Sequence, residues 1–136
     1  MKRVLFILAQ CTWALPQTML GFLIFLWVRA RGMAMGRPAV YHGAAVTAWP
    51  QNAGLSLGLF VFVPAGCPPR LLAHEYGHCL QSLVLGPLYL PVVALPSALW
   101  FNLPVCKRYR AQNKVDYYTF YTERWADAWS RRFLPQ

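Results

Sequence analysis

The sequence predicts a mixed α+β membrane protein, and three observations carry that prediction. The chain of 136 residues is 57% apolar and 15% aromatic but only 12% charged, about half the charged fraction of an average soluble domain. The stretch from Val4 to Val28 holds no charged residue and lies between Lys2/Arg3 and Arg29/Arg31. Between residues 39 and 63 the pattern changes to short β-branched and aromatic runs. At this length residues 1–136 are expected to form one unit around one core.

Residues 4–28 read as an N-terminal transmembrane helix, because a charge-free run of that length crosses a bilayer. A cleaved signal peptide has a shorter apolar part and a small-x-small cleavage pattern, so a retained anchor is expected instead. Pro16, beside Gln17 and Thr18, is expected to kink this helix and to leave polar groups inside it. Residues 39–63 read as a β-hairpin whose loop lies around Pro50 to Gly54. Residues 70–85 read as a helix that starts after Pro68-Pro69 and stops at Gly86-Pro87. Residues 83–103 are again uncharged, but Pro87, Pro91 and Pro96 interrupt them, which predicts a broken segment, re-entrant or spanning. Lys107 to Lys114 reads as a basic polar loop, and residues 117–133 as an aromatic-rich C-terminal helix.

Thirteen Lys and Arg against four acids give a net charge of +9. In a polar protein such a balance points to nucleic acid. Here the bases flank long uncharged stretches, the pattern of segments lying against anionic headgroups, so the expected partner is a lipid bilayer and not nucleic acid. The Trp and Tyr residues are expected to form interfacial belts. Arg29, Arg31 and Arg37 outnumber Lys2 and Arg3, which predicts a site near the cytoplasmic face of an inner membrane. Cys11, Cys67, Cys79 and Cys106 have no CxxC spacing, so no disulfide framework is expected.

The run HEYGH, residues 74–78, lies in the first half of the helix expected over 70–85. Residues four apart on a helix stand on the same face, so His74 and His78 can turn one nitrogen each to a single divalent ion, zinc being expected. Glu75 lies on the flank of that face, where a carboxylate contacts a metal-bound water without taking a coordination position. By chance such a pattern occurs about a few times per thousand chains of this length. The chain has only three His, and two are in this run. A catalytic zinc has three protein ligands and one open position, so a third ligand is needed. His42, Asp116, Glu123, Asp127 and the cysteines are the options. Cys79 follows His78 and points off the ligand face. Glu123 is the strongest, because YTERWAD puts Glu123 and Asp127 on one helical face, one to bind the ion and one to accept the outer N–H of a ligating His.

HExxH followed by ExxxD on a later helix resembles the gluzincin metallopeptidases, the thermolysin-like class. That resemblance, carried by His74–His78 and Glu123–Asp127, implies Glu123 as third ligand and Asp127 as support for a His. Site-2-class membrane proteases take a third ligand from an Asn-Pro-Asp-Gly-like motif, and this chain has none. The runs LPQTMLG, HEYGHCLQSLVLGPLYLP and FYTERWAD also resemble a small family of bacterial membrane proteins.

The expected function is therefore that of a membrane-anchored zinc endopeptidase acting on peptide or membrane-protein substrates. Zinc brings the pKa of its water to about 7, and Glu75 takes the proton as that water attacks the carbonyl. Tyr117, Tyr118, Tyr121 and His42 are the candidate oxyanion donors, and the strand Leu55 to Val63 is a candidate edge for an extended substrate. Two alternatives stand beside it: a non-catalytic chaperone or subunit with structural zinc, and a membrane adaptor in which HEYGH is fortuitous.

Overall fold

The computed structural model of the chain describes residues 2–134. It is a mixed α+β fold with six α-helices and one small four-stranded sheet among the described residues.

The N-terminal stretch expected as one helix is two, α1 (Lys2–Thr12) and α2 (Leu15–Ala30), bent by 92°. The turn lies at Trp13-Ala14, and Pro16 sits in the first turn of α2, where its missing N–H costs no helical bond. Polar side chains account for the bend. Gln10 donates to the Cys79 carbonyl (3.0 Å), Gln17 to Ser82 Oγ (2.9 Å) and the Gly86 carbonyl (2.8 Å), and Thr18 to the Gln10 carbonyl (2.7 Å). A straight helix would strand these groups in an apolar setting. Among the described residues no single helix is long and apolar enough to cross a membrane.

The single hairpin expected over 39–63 is a sheet of two hairpins. Strands β1 (Met35–Tyr41) and β2 (Ala44–Trp49) are antiparallel, as are β3 (Leu55–Leu57) and β4 (Phe60–Pro64). The strand order is β1-β2-β4-β3, and β2 runs parallel to β4 from Ala45↔Phe60 to Trp49↔Pro64. The strand expected over Leu55 to Val63 is broken because Gly58 adopts φ +60°, and a Cβ there would collide with Thr18. At the other turn His42 and Gly43 both have positive φ, the conformation that closes a two-residue hairpin.

Helix α3 (Pro69–Leu85) matches the expected 70–85 within a residue and ends at Gly86. The broken apolar segment follows: a 3₁₀ turn at Gly86–Leu88, a π turn at Leu90–Ala94, and α4 (Leu95–Asn102), bent by 120° from α3. Lys107–Lys114, expected as a loop, lies almost wholly in α5 (Pro104–Asn113). Pro104 starts that helix, strong helix formers such as Lys107, Arg108 and Ala111 continue it, and Lys114 in the left-handed region ends it. The C-terminal helix is shorter than expected. Tyr117–Thr119 form a 3₁₀ turn capped by Asp116, Phe120 is extended, and α6 runs from Tyr121 to Phe133.

The core lies between α3 and the sheet, where Val46, Val61, Val63, Tyr76 and Cys79 pack together with Phe6 of α1. On its other side α3 lies against α6. Gly77 allows that approach, since a Cβ on it would overlap the Ala126 carbonyl. The backbones of the two helices therefore nearly touch beside the two histidines.

Candidate metal centre

His74 and His78 face α6 from one side of α3, one turn apart, and both are buried. Glu123, in the first turn of α6 and 1% exposed, points back between them. Its Oε2 lies 3.0 Å from His74 Nε2 and 3.3 Å from His78 Nε2. One ligand atom from each of the three residues lies within 4.8 Å of the others. The structure thus brings together His74, His78 and Glu123 as a group that could hold a metal ion.

The outer nitrogens are held as firmly. His74 Nδ1 donates to Asp127 Oδ1 at 2.8 Å, and His78 Nδ1 to Gln81 Oε1 at 2.7 Å. Gln81 cannot be flipped without loss, because its Nε2 donates to the Thr122 carbonyl at 3.0 Å. With both Nδ1 atoms protonated, the lone pairs of both Nε2 atoms point at a carboxylate oxygen. Three acceptors converge and no donor lies between them. A buried arrangement of this kind requires a cation at its centre, either a metal ion or a proton on an imidazole. The donor set, two imidazoles and a carboxylate, is one that suits zinc and several neighbouring transition metals.

No protein-family model, curated protein or solved structure matches this chain. The chemistry of the site therefore rests on its own geometry.

Without a metal, when an imidazole proton takes its place, burial raises the Glu123 carboxyl but hydrogen bonding with His74 and His78 outweighs it, and the group lies well below the ordinary carboxylate range. His74 follows the opposite balance. Burial lowers it, whereas hydrogen bonds to Glu123 and Asp127 and the charge of Glu75 bring it up to about 9. Thr122 Oγ1 donates to Glu123 Oε1 (3.2 Å) and receives the Ser97 hydroxyl (2.7 Å), so both carboxylate oxygens are fixed.

Glu75 stands beside the group and outside it. Ser56 Oγ of β3 donates to Glu75 Oε2 at 2.6 Å, leaving Oε1 towards Gly54. Burial raises the Glu75 carboxyl above its usual range. All four residues border a cleft of about 430 Å³, lined also by Trp49, residues 51–56, Ala94, Ser97, Ala98 and Phe101.

Of the expected oxyanion donors, Tyr117 and Tyr118 line this cleft. The Tyr118 ring meets His74 edge-on at 5.1 Å between centroids. Burial and the Glu123 carboxylate keep the Tyr117 phenol protonated far above its usual range. Tyr121 and His42 do not reach the cleft. Tyr121 donates to the Val92 carbonyl, and His42 packs on Tyr41 and Tyr76 at the β1–β2 turn. Asp116 caps the 3₁₀ turn, and Cys79 is buried in the core. Sequence reasoning missed Gln81, Ser56 and Gly54. Gln81, three residues after His78, had a usable signal, since i,i+3 neighbours meet on a helix. Ser56 and Gly54 had none, being brought in by the sheet.

Proposed function

We propose that the protein is a membrane-associated zinc metallopeptidase. The observation that carries the reading is the convergence of two imidazole Nε2 atoms and the Glu123 carboxylate beside an acid, Glu75, that lies at the cleft and outside the group. A structural site needs only ligands and gains nothing from that acid. Zinc held by three ligands keeps one open position and supplies Lewis acidity there.

The chain's own groups supply the rest. With Oε2 engaged by Ser56, Glu75 Oε1 is free to take a proton from the attacking water and pass it to the leaving amine. The Tyr117 and Tyr118 hydroxyls, protonated at neutral pH, are the donors available to the oxyanion. Membrane association is supported by the +9 charge and by the large apolar side chains left exposed on α1, α2 and α4. The basic residues favour an inner membrane with the site near its cytoplasmic face.

The test is to purify wild type and Glu75→Gln, measure bound metal in each, and assay a peptide library. Equal zinc in both with cleavage by wild type alone is expected. Stoichiometric zinc without turnover would replace catalysis by a structural role, and absence of metal from both would leave the adaptor reading. Glu123→Ala should lose the metal, and unchanged affinity would remove Glu123 from the site.

A further inference from the structure

Helix α4 is apolar on nearly every side and has no buried residue. Ser97, Ala98 and Phe101, with Ala94 just before them, fall at helical spacing and line the cleft. Leu95 and Leu99 do not line the cleft and are exposed by 55% and 43%, with Val92 and Leu103 exposed beside them. Few polar bonds tie α4 down, chiefly Ser97 to Thr122 and Trp100 Nε1 to the Tyr117 carbonyl (3.1 Å). An apolar helix that packs on the body only through half-buried Pro96, Ser97 and Trp100, and leaves Leu95 and Leu99 bare, calls for a non-aqueous neighbour.

The surroundings identify that neighbour. Ile24 of α2 and Ala94, just before α4, pack against the same small cluster of Leu57, Tyr89 and Val93, and α2 also leaves Met19, Phe22, Leu23 and Leu26 exposed. Basic residues follow both apolar faces: Arg29 and Arg31 at the end of α2, and Lys107, Arg108 and Arg110 in α5, the next helix after α4. No acid occurs between Glu75 and Asp116. At the α4–α5 junction the Arg110 guanidinium lies 4.9 Å from the Trp100 ring centroid and 5.6 Å from that of Tyr117, an aromatic and cationic set suited to the headgroup level. An apolar face rimmed by positive charge matches an anionic leaflet. Helices α1 and α2 form an elbow of 92°, and α4 turns back by 120° from the buried helix α3, which leaves α4 at the surface.

We propose that α4 seats in one leaflet of an anionic bilayer as the wall between lipid and cleft, and that substrates are extended, uncharged peptide segments entering from the bilayer surface past it. The leaflet seating stands on α4 alone, whereas the substrate class rests on the peptidase reading above. Apart from the metal group and Glu75, the cleft lining carries no charged side chain. Trp49, Asn52, Leu71, Phe101 and Tyr118 favour uncharged residues there.

The experiment uses the full chain with Cys11, Cys67 and Cys106 changed to Ser, labelled with an environment-sensitive fluorophore at Leu99→Cys or at Asn52→Cys, exposed at the cleft in the β2–β3 connection. Vesicles of phosphatidylcholine with about a third phosphatidylglycerol are then added. The expected result is a blue shift and quenching by acyl-chain nitroxides at position 99 only, with position 52 still quenched by aqueous iodide. Iodide access at both positions overturns the seating. In the chain with native cysteines, Leu95→Asp/Leu99→Asp should lower vesicle partition about tenfold or more while metal content in detergent is unchanged. Unchanged partition also overturns it. Cleavage of vesicle-tethered peptides with Leu or Phe flanks, and not with Lys or Asp flanks, is expected of wild type. Equal cleavage of charged peptides overturns the substrate class. Seating with bound metal but no cleavage of any peptide would instead refute the hydrolytic reading and leave the seating intact.

Discussion

His74 and His78 present the same atom to the metal position but are held from behind by different groups. Asp127 is an acid and makes His74 the stronger donor, while Gln81 orients His78 without adding charge. Either Asp127→Ala or Gln81→Ala should reduce metal affinity about 10–100-fold without touching a ligand. Competition against a chromophoric chelator reads this, and unchanged affinity in both would mean that the imidazoles orient themselves. In the metal-free protein a proton on His74 takes the place of the cation. Because its folded pKa is raised from 6.5 to about 9, the stabilisation it brings is full below pH 6.5 and is lost as pH rises through 9. Thermal midpoints in chelator should therefore fall between those values, whereas the metal-loaded protein should not follow that fall. A parallel fall with metal present would place the titration elsewhere.

Two glycines decide whether helices and strands can approach the site. Gly77 lets α6 lie against α3, and Gly54 lets the end of the β2–β3 connection lie on Glu75. Gly77→Ala must push the α6 backbone away, at a cost of about 1–3 kcal/mol. It should lower both the denaturation midpoint and metal affinity, since Glu123 moves with α6. Gly54→Ala meets only the Glu75 side chain and should keep the metal while removing cleavage. Full activity in Gly54→Ala would show that the Glu75 position is not constrained from that side. The α3 helix is legible in the sequence because its signals are local: prolines before it, glycine and proline after it, and HEYGH within. The two hairpins are less legible. His42-Gly43 and Gly58-Leu59 are two-residue turns inside apolar runs, and Gly58 turns back only because Thr18 of α2 occupies the space a side chain would need. The basic segment after Asn102 is helical for a reason visible only in part, since Pro104 marks its start but composition alone suggests a loop.

Across the whole molecule the N-terminal pair is built into the body and is not a detachable anchor. Gln10 and Gln17, both fully buried, bond to Cys79, Ser82 and Gly86 at the far end of the helix that carries the histidines. Gln17→Leu leaves Ser82 and the Gly86 carbonyl without that donor and should cost about 1–3 kcal/mol. Deletion of residues 2–30 should abolish cooperative unfolding and metal binding together. A folded, metal-binding remainder after that deletion would show that α1 and α2 only tether. Local chemistry in the sequence determined the mixed α and β content, the helix bearing His74, Glu75 and His78, the break after Gly86 and the pairing of Glu123 with Asp127 on one helical face. Spacing along a helix is enough for such statements, because neighbours three and four apart meet whatever surrounds them. Only the tertiary structure decided that Glu123 reaches both histidines, that Gln81, Ser56 and Gly54 belong to the site, and that Tyr117 and Tyr118 face the cleft while Tyr121 and His42 do not. Those contacts depend on helix packing and sheet order, in which residues distant in the chain meet through shape and burial that no local pattern encodes.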